Sequence, residues 1–307
     1  MGRIGAHVST EGGPERAIDR ALAIGAECLQ IFVGAPQNWA SPRIPEEGVA
    51  AFRAGLAENG LGPLFIHAPY LVNLASLRPE VRGMSRRALG EQLAWADRLG
   101  ALGVVVHVGS GGDDAFDLAA SGLEVVLRTH TGKAALILEN DAGSGRRIGA
   151  RLADLGGLIR TLGDERLLVC FDTAHGLAAG YEVRTATGLD EAISELDAEV
   201  GLDRLALVHA NDSKVDLGRN VDRHENIGRG KIGVEAFARL LAHPALRPKP
   251  FVLEVPGYAG EGPDRANVAL LRLLAEGRLD DVPRWEEEHL PRHAAPTRAL
   301  GDGVSPD

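Results

Sequence analysis

The feature that most constrains this chain is a repeat of secondary structure. Eight times, roughly every 35 residues, a short apolar run ends in a polar residue and gives way to an amphipathic segment. The runs fall at 4–8, 28–33, 64–66, 104–106, 135–138, 167–171, 205–208 and 251–253. Helical periodicity follows over 11–24, 46–58, 79–99, 115–129, 150–162, 190–200, 234–241 and 265–274. Continuous apolar runs belong to strands covered on both faces, and strands alternating with helices pair in parallel. Eight such units predict an α/β fold, a (β/α)8 TIM barrel over residues 1–277. An open doubly wound sheet is the alternative, but no run leads into a GxGxxG turn. Residues 278–307 read as an acidic C-terminal extension, rich in Pro and Gly towards its end and partly disordered.

Six runs end in side chains able to bind a metal: His67, His107, Glu139, Asp172, His209 and Glu254. In a barrel these strand ends converge on one face, where active sites sit. Alone, each reads as a solvated histidine or an ion-pair partner. Six together are poorly explained that way, because clustered buried charge is costly unless paired or metal-bound. The densest stretch is LALVHANDSKVDLGRNVDRHENIGRG, residues 205–230. Loops on the same face add His175, Asp222 and His224. The set is five histidines and four carboxylates. One ion takes about four donors, so nine donors with bridging carboxylates suit three divalent ions such as zinc. No cysteine belongs to the set, which leaves positions open for water and substrate. Closely spaced ions stabilise in-line displacement at phosphorus and lower the pKa of a bound water toward ~7, making hydroxide at neutral pH. Phosphodiester hydrolysis is the expected reaction class.

A net charge of −10 at first argues against a nucleic-acid partner. Residues 276–307 hold eight acids and four arginines, so −4 of that charge sits in the extension. The remainder includes acids assigned to the metal set, and bound divalent ions reverse the local sign. Cys28 and Cys170 each lie in an apolar run and read as buried free thiols. No signal peptide or membrane-length apolar run is read, so a soluble, reducing, cytoplasmic setting without a membrane partner is expected. His7 ends the first run and is assigned an orienting role rather than ligation. His130, His243, His289 and His293 read as surface residues.

Seven stretches carry a resemblance: GAHVS near the start, HAPYLVNLAS from His67, ENDAGSG from Glu139, CFDTAHGLAAGY from Cys170, HANDSK from His209, VDRHENIGRGKIG from Val221, and LEVP with Glu254. On these the chain resembles the endonuclease IV family of abasic-site DNA-repair nucleases, over residues 1 to about 275. The resemblance implies three zinc ions per chain, with manganese or iron as substitutes. It assigns His67, His107 and Glu139 to the first ion, and Glu139, Asp172, His209 and Glu254 to the second. His175, Asp222 and His224 fall to the third. Glu139 and Glu254 are the carboxylates expected to be catalytic. The implied partner is duplex DNA containing an abasic site, cut 5′ to the lesion to leave a 3′-hydroxyl, by a monomer. A baseless sugar loses little stacking when flipped out, so extrusion is cheapest there.

DNA contacts are expected from Gln37, Asn38, Trp39, Tyr70, Lys214 and Arg223. Gln37 is neutral where family members can carry a basic residue that enters the DNA. Val108 stands where proline is expected, and Ala174 where a cysteine is often found. None of these departures removes a ligand. Two other functions compete. A metal-dependent sugar isomerase or epimerase would use the same kind of barrel with fewer ions and no role for the VDRH loop. A metal-stabilised barrel that only binds damaged DNA would need no exchangeable ligand positions.

Overall fold

A computed structural model describes residues 1–290 of the chain. The expected disorder of the end of the extension, 291–307, lies outside the described residues. The strands are β1 (Ile4–His7), β2 (Leu29–Ile31), β3 (Leu64–His67), β4 (Gly103–Val106), β5 (Ala135–Glu139), β6 (Leu167–Asp172) and β7 (Leu205–His209). A small antiparallel ribbon follows, β8 (Asp212–Ser213) with β9 (His224–Glu225), and then β10 (Phe251–Leu253). Strands β1 to β7 and β10 close into one barrel, each parallel to its neighbours, with β10 pairing back onto β1. The chain is a (β/α)8 TIM barrel, as its eight units predict.

Two layers inside the barrel explain how the fold builds a site. Strand side chains alternate between faces, so residues two apart point the same way. Cys28, Phe65, Val105, Ile137, Cys170, Leu207 and Val252 point inward and form one fully buried apolar layer. Two residues further along come Gln30, His67, His107, Glu139, Asp172, His209 and Glu254. The apolar layer is the floor, and this polar layer forms the C-terminal mouth. On β1 the floor position is Gly5, two before His7. A Cβ at Gly5 would lie 1.8 Å from the Cys28 carbonyl oxygen, so only glycine lets β1 approach there.

The helices α1 (Pro14–Ile24), α2 (Glu46–Glu58), α3 (Pro79–Leu99), α4 (Ala115–Thr129) and α5 (Leu152–Leu162) cover the outside of the first five strands. Each buries one stripe; on α3 it includes Ser85, Leu89, Gln92, Ala96 and Leu99. Helix α1 starts later than the periodicity predicts, because Gly12 and Gly13 adopt positive φ and Pro14 opens the first turn. The loop after β6 contains a helix that the sequence reading left out, α6 (Thr173–Ala179), ahead of α7 (Ala186–Glu199). Helices α8 (Val234–Ala242) and α9 (Arg265–Ala275) complete the ring.

A 3-10 turn at Leu279–Asp281 then leads into α10 (Val282–His289). This helix buries Val282 and Trp285 and packs on α9. Among the described residues, no helix is long and apolar enough to cross a membrane.

Candidate metal centre

The polar layer at the mouth, with His175, Asp222 and His224 above it, brings together all nine residues of the predicted donor set, in three overlapping groups. In the first, His67 Nε2 and His107 Nε2 lie 3.3 and 3.4 Å from Glu139 Oε2. In the second, His209 Nδ1 stands 3.0 Å from Glu139 Oε1, 3.2 Å from Glu254 Oε2 and 3.8 Å from Asp172 Oδ2. In the third, Asp222 Oδ1 lies 3.3 Å from both His175 Nε2 and His224 Nε2. Glu139 joins the first two groups. Asp172 links the second and third, with its Oδ2 also 3.7 Å from His224 Nε2.

These spacings suit metal ions. Donors at 2.0–2.1 Å from a tetrahedral zinc stand about 3.3–3.4 Å from one another. The first and third groups match that edge length, and the second brackets it. The imidazole and carboxylate donors are those a borderline divalent ion prefers. Cys170 also comes within reach of Glu139 and His209. It belongs to the apolar floor, and burial pushes its thiol up to about 12, which disfavours the thiolate that would ligate.

Local structure aims each imidazole. The Asp172 side chain caps α6, with Oδ1 accepting from the His175 N–H at 2.8 Å, so a ligand at a strand end also starts the helix that carries the next ligand. His67 Nδ1 lies 2.8 Å from the Ala68 carbonyl, and His175 Nδ1 lies 3.1 Å from the Asn140 carbonyl. Each Nδ1–H is spent on a carbonyl, and Nε2 is left to face the donor group. Metal-binding histidines are commonly held in this way, by an acceptor on the far nitrogen. His107 Nδ1 is buried without a hydrogen bond, 3.5 Å from Asp141 Oδ2, the oxygen to which Arg147 donates at 3.0 Å.

Three residues that the sequence reading gave no role hold the carboxylates. Asn211 donates to Asp172 Oδ2 at 2.6 Å and accepts from the Glu254 N–H at 2.8 Å. Asn140 accepts from the Asp172 N–H at 2.6 Å. Gln30, fully buried, touches His7, His209 and Glu254. Only Gln30 had a usable signal, its place two residues after Cys28 on the inward rung of β2. His7 Nδ1 lies 3.2 Å from Glu254 Oε1, behind the donor groups.

Burial works against charge on Glu139. The charge of the neighbouring His107 and His209 outweighs it and holds the carboxyl well below its ordinary range. Asp222 follows the same pattern, with burial opposed by His175 and His224. Burial lowers the pKa of His107, which favours the neutral ring that a metal needs.

Above the donors opens a cleft of about 830 Å³, reached by His7, His67, His107, His175, Asp222 and Glu254. Tyr70 stands exposed on its wall, edge-on to Phe32. Gln37 and Asn38 are exposed in the loop after β2, and Trp39 is half-buried against the core. Lys214 and Arg223 are exposed beside β8 and β9. The cleft lining includes Tyr70 and none of these other five.

Two acids of the dense stretch turn away from the donors. Asp216 pairs with Arg184, and Asp212 is buried among backbone N–H groups. Of the histidines read as surface, His130 instead has its side chain turned in, 3.2 Å from Asp97, and His293 lies outside the described residues.

Fold and donor set together define a class, the metal-capable (β/α)8 barrel. A family described as xylose isomerase-like TIM barrel matches residues 18–276. Within that class, the chain belongs to the endonuclease 4 family. It is 39% identical over 297 residues to a probable endonuclease 4 of Halorhodospira halophila, covering 94% of this chain and 99% of that protein. The crystal structure of endonuclease IV from Thermus thermophilus superposes with a TM-score of 0.81 at 36% identity, covering 90% of this chain and 99% of that one. An L-ribulose 3-epimerase shares the barrel with a TM-score of 0.64 at 19% identity, covering 96% and 100% of the two chains. That likeness shows the fold alone. The sugar isomerase or epimerase reading gains nothing from it beyond the barrel.

Proposed function

We propose that this chain is a zinc-dependent abasic-site endonuclease that hydrolyses the DNA phosphodiester 5′ to the lesion and leaves a 3′-hydroxyl. One observation carries the reading: nine donors in three linked groups at metal-ligand spacing, in a chain of the endonuclease 4 family. His67, His107 and Glu139 would hold one ion, Glu139, Asp172, His209 and Glu254 a second, and His175, Asp222 and His224 a third. Zinc there, with manganese or iron as substitutes, would supply Lewis-acid charge for the phosphate and for activating water.

The chain's own residues supply position. Glu254 lines the cleft and Glu139 lies fully buried beneath it, the two central carboxylates of the donor set. Asn211 ties the Asp172 carboxylate to the backbone N–H of Glu254, linking the ends of β6 and β10. The cleft admits an extruded sugar-phosphate, and Tyr70 offers an aromatic wall beside it. Gln37, Asn38, Trp39, Lys214 and Arg223 are the proposed contacts to the surrounding duplex. Damage is then read through the ease of bending and flipping rather than through base edges.

The test is a labelled duplex carrying one abasic analogue, incubated with the metal-loaded protein at fixed salt. The expected product is a single cut 5′ to the analogue whose new end a polymerase extends. Binding without any cut would favour the non-catalytic reading. Turnover of ketoses with no action on DNA would favour the sugar epimerase.

A further inference from the structure

Gln30 lies in the middle of an apolar run, fully buried at the barrel mouth, and makes three side-chain contacts. Its Nε2 lies 2.6 Å from Glu254 Oε1 and 3.0 Å from His7 Nδ1. Its Oε1 lies 2.9 Å from His209 Nε2. The direction of the amide is fixed by chemistry. An ionised carboxylate only accepts hydrogen bonds, so the Gln30 amide must present its NH2 to Glu254. Its oxygen is then left for His209, and an amide oxygen only accepts. His209 must therefore carry its proton on Nε2. In the neutral ring that binds a metal, the lone pair then sits on Nδ1, the atom that faces Glu139, Glu254 and Asp172.

We infer that Gln30 is a positioning residue for the second donor group, converting the negative charge of Glu254 into a fixed tautomer of His209. It also holds the Glu254 and His209 side chains at one spacing, since a single planar amide touches both. This inference rests on the proposed metal centre. It adds a residue from β2, the one strand whose mouth position carries no histidine or carboxylate.

Two measurements on the zinc-loaded protein test it. In wild type with 15N-labelled histidine, the His209 side chain is expected to show a protonated Nε2 and an unprotonated Nδ1. A protonated Nδ1 would overturn the inference, whatever any variant does. The second measurement is a chelator competition on Gln30→Met, which keeps the length and removes all three side-chain hydrogen bonds. Weakening of one zinc by about 10–100-fold is expected, with the other two retained at wild-type affinity. Equal affinity for all ions in wild type and variant would overturn the inference. So would equal weakening of every ion, which a general structural defect produces. Failure of wild type itself to bind zinc would instead refute the metal centre on which the inference stands.

Discussion

His175 and His224 meet nitrogen to nitrogen, with 3.4 Å between their Nε2 atoms and Asp222 Oδ1 3.3 Å from each. The far nitrogen of His175 faces a carbonyl at 3.1 Å, and that of His224 faces one at 3.4 Å. Two lone pairs and a carboxylate oxygen pointed at one place repel one another unless a proton or a metal ion sits among them. The arrangement fits the third proposed ion site.

Elemental analysis of the native protein should therefore find about three divalent ions per chain, mainly zinc. Replacing Asp222 with alanine should remove one ion and leave the other two, with the circular dichroism spectrum unchanged. A wild-type content of one ion or none would refute the three-group reading. Chelation should abolish cleavage, and zinc should restore it.

Glu254→Gln should abolish cleavage while leaving the fold and most of the damaged-DNA binding. Oε1 of Glu254 accepts from Gln30 at 2.6 Å, and Oε2 faces His209 Nδ1 at 3.2 Å. A glutamine must turn its NH2 towards one of these two neighbours, and it carries no charge to hold an ion. A loss of at least about a thousandfold is expected, or ~4 kcal/mol of transition-state stabilisation. Single-turnover cleavage and a binding titration on the same abasic duplex check it. Near-normal cleavage would mean that Glu254 is not a working ligand.

The barrel was legible in the sequence because parallel strands buried on both faces leave unbroken apolar runs. The donors at strand ends were legible because His and Glu are out of place where such a run stops. Gln30 was not. An uncharged amide inside CLQIFV looks like noise until the period-two rung from Cys28 is drawn. Helix α6 was hidden because its cap, Asp172, already had a role as a strand end, and because GLAAG carries little periodicity. Asp212 carried no assigned role in the sequence. Its burial among N–H donors depends on a loop that returns from residues 228–233, which no local pattern reveals. Which donors share an ion also depended on tertiary geometry, and before the structure only the family resemblance supplied it.

The extension begins with a packed helix, α10. The apolar pattern of VPRWEEEH offers only Val282 and Trp285, too few to read as an amphipathic helix, yet both are buried. Trp285 also stacks on His289 at 5.0 Å. Trp285→Ala should cost about 3 kcal/mol, near the low end for a buried tryptophan. Truncation after Gly277 should cost at least as much stability and lower the urea midpoint, and truncation after Leu290 should leave that midpoint unchanged. Equal midpoints for the two truncations would mean that α10 adds nothing.

Asp212→Asn should destabilise the protein and loosen the third ion together. The buried Asp212 carboxylate accepts from five backbone N–H groups: Ser213 and Ile232 on Oδ1, and Gly228, Gly230 and Gly233 on Oδ2, at 2.8–3.2 Å. Burial pushes its carboxyl above the ordinary range, while N–H donors such as those of Ile232 and Ser213 pull it back. Gly230 has no room for a side chain, since a Cβ there would lie 2.3 Å from Asp212 Oδ1. The knot thus pins the loop running from β9 towards α8, just beyond Asp222 and His224. Asparagine keeps the volume but offers one acceptor oxygen, and it turns an NH2 towards N–H groups that need an acceptor. Each buried N–H left without a partner costs about 1–3 kcal/mol, so a total near 3 kcal/mol is expected after the loop relaxes. That relaxation should displace Asp222 and His224 and weaken one zinc at least tenfold, while the ion at His67, His107 and Glu139 stays in place. Urea denaturation and a chelator titration on the same preparation measure both effects. An Asn variant as stable as wild type, holding all its zinc, would show that the knot positions nothing.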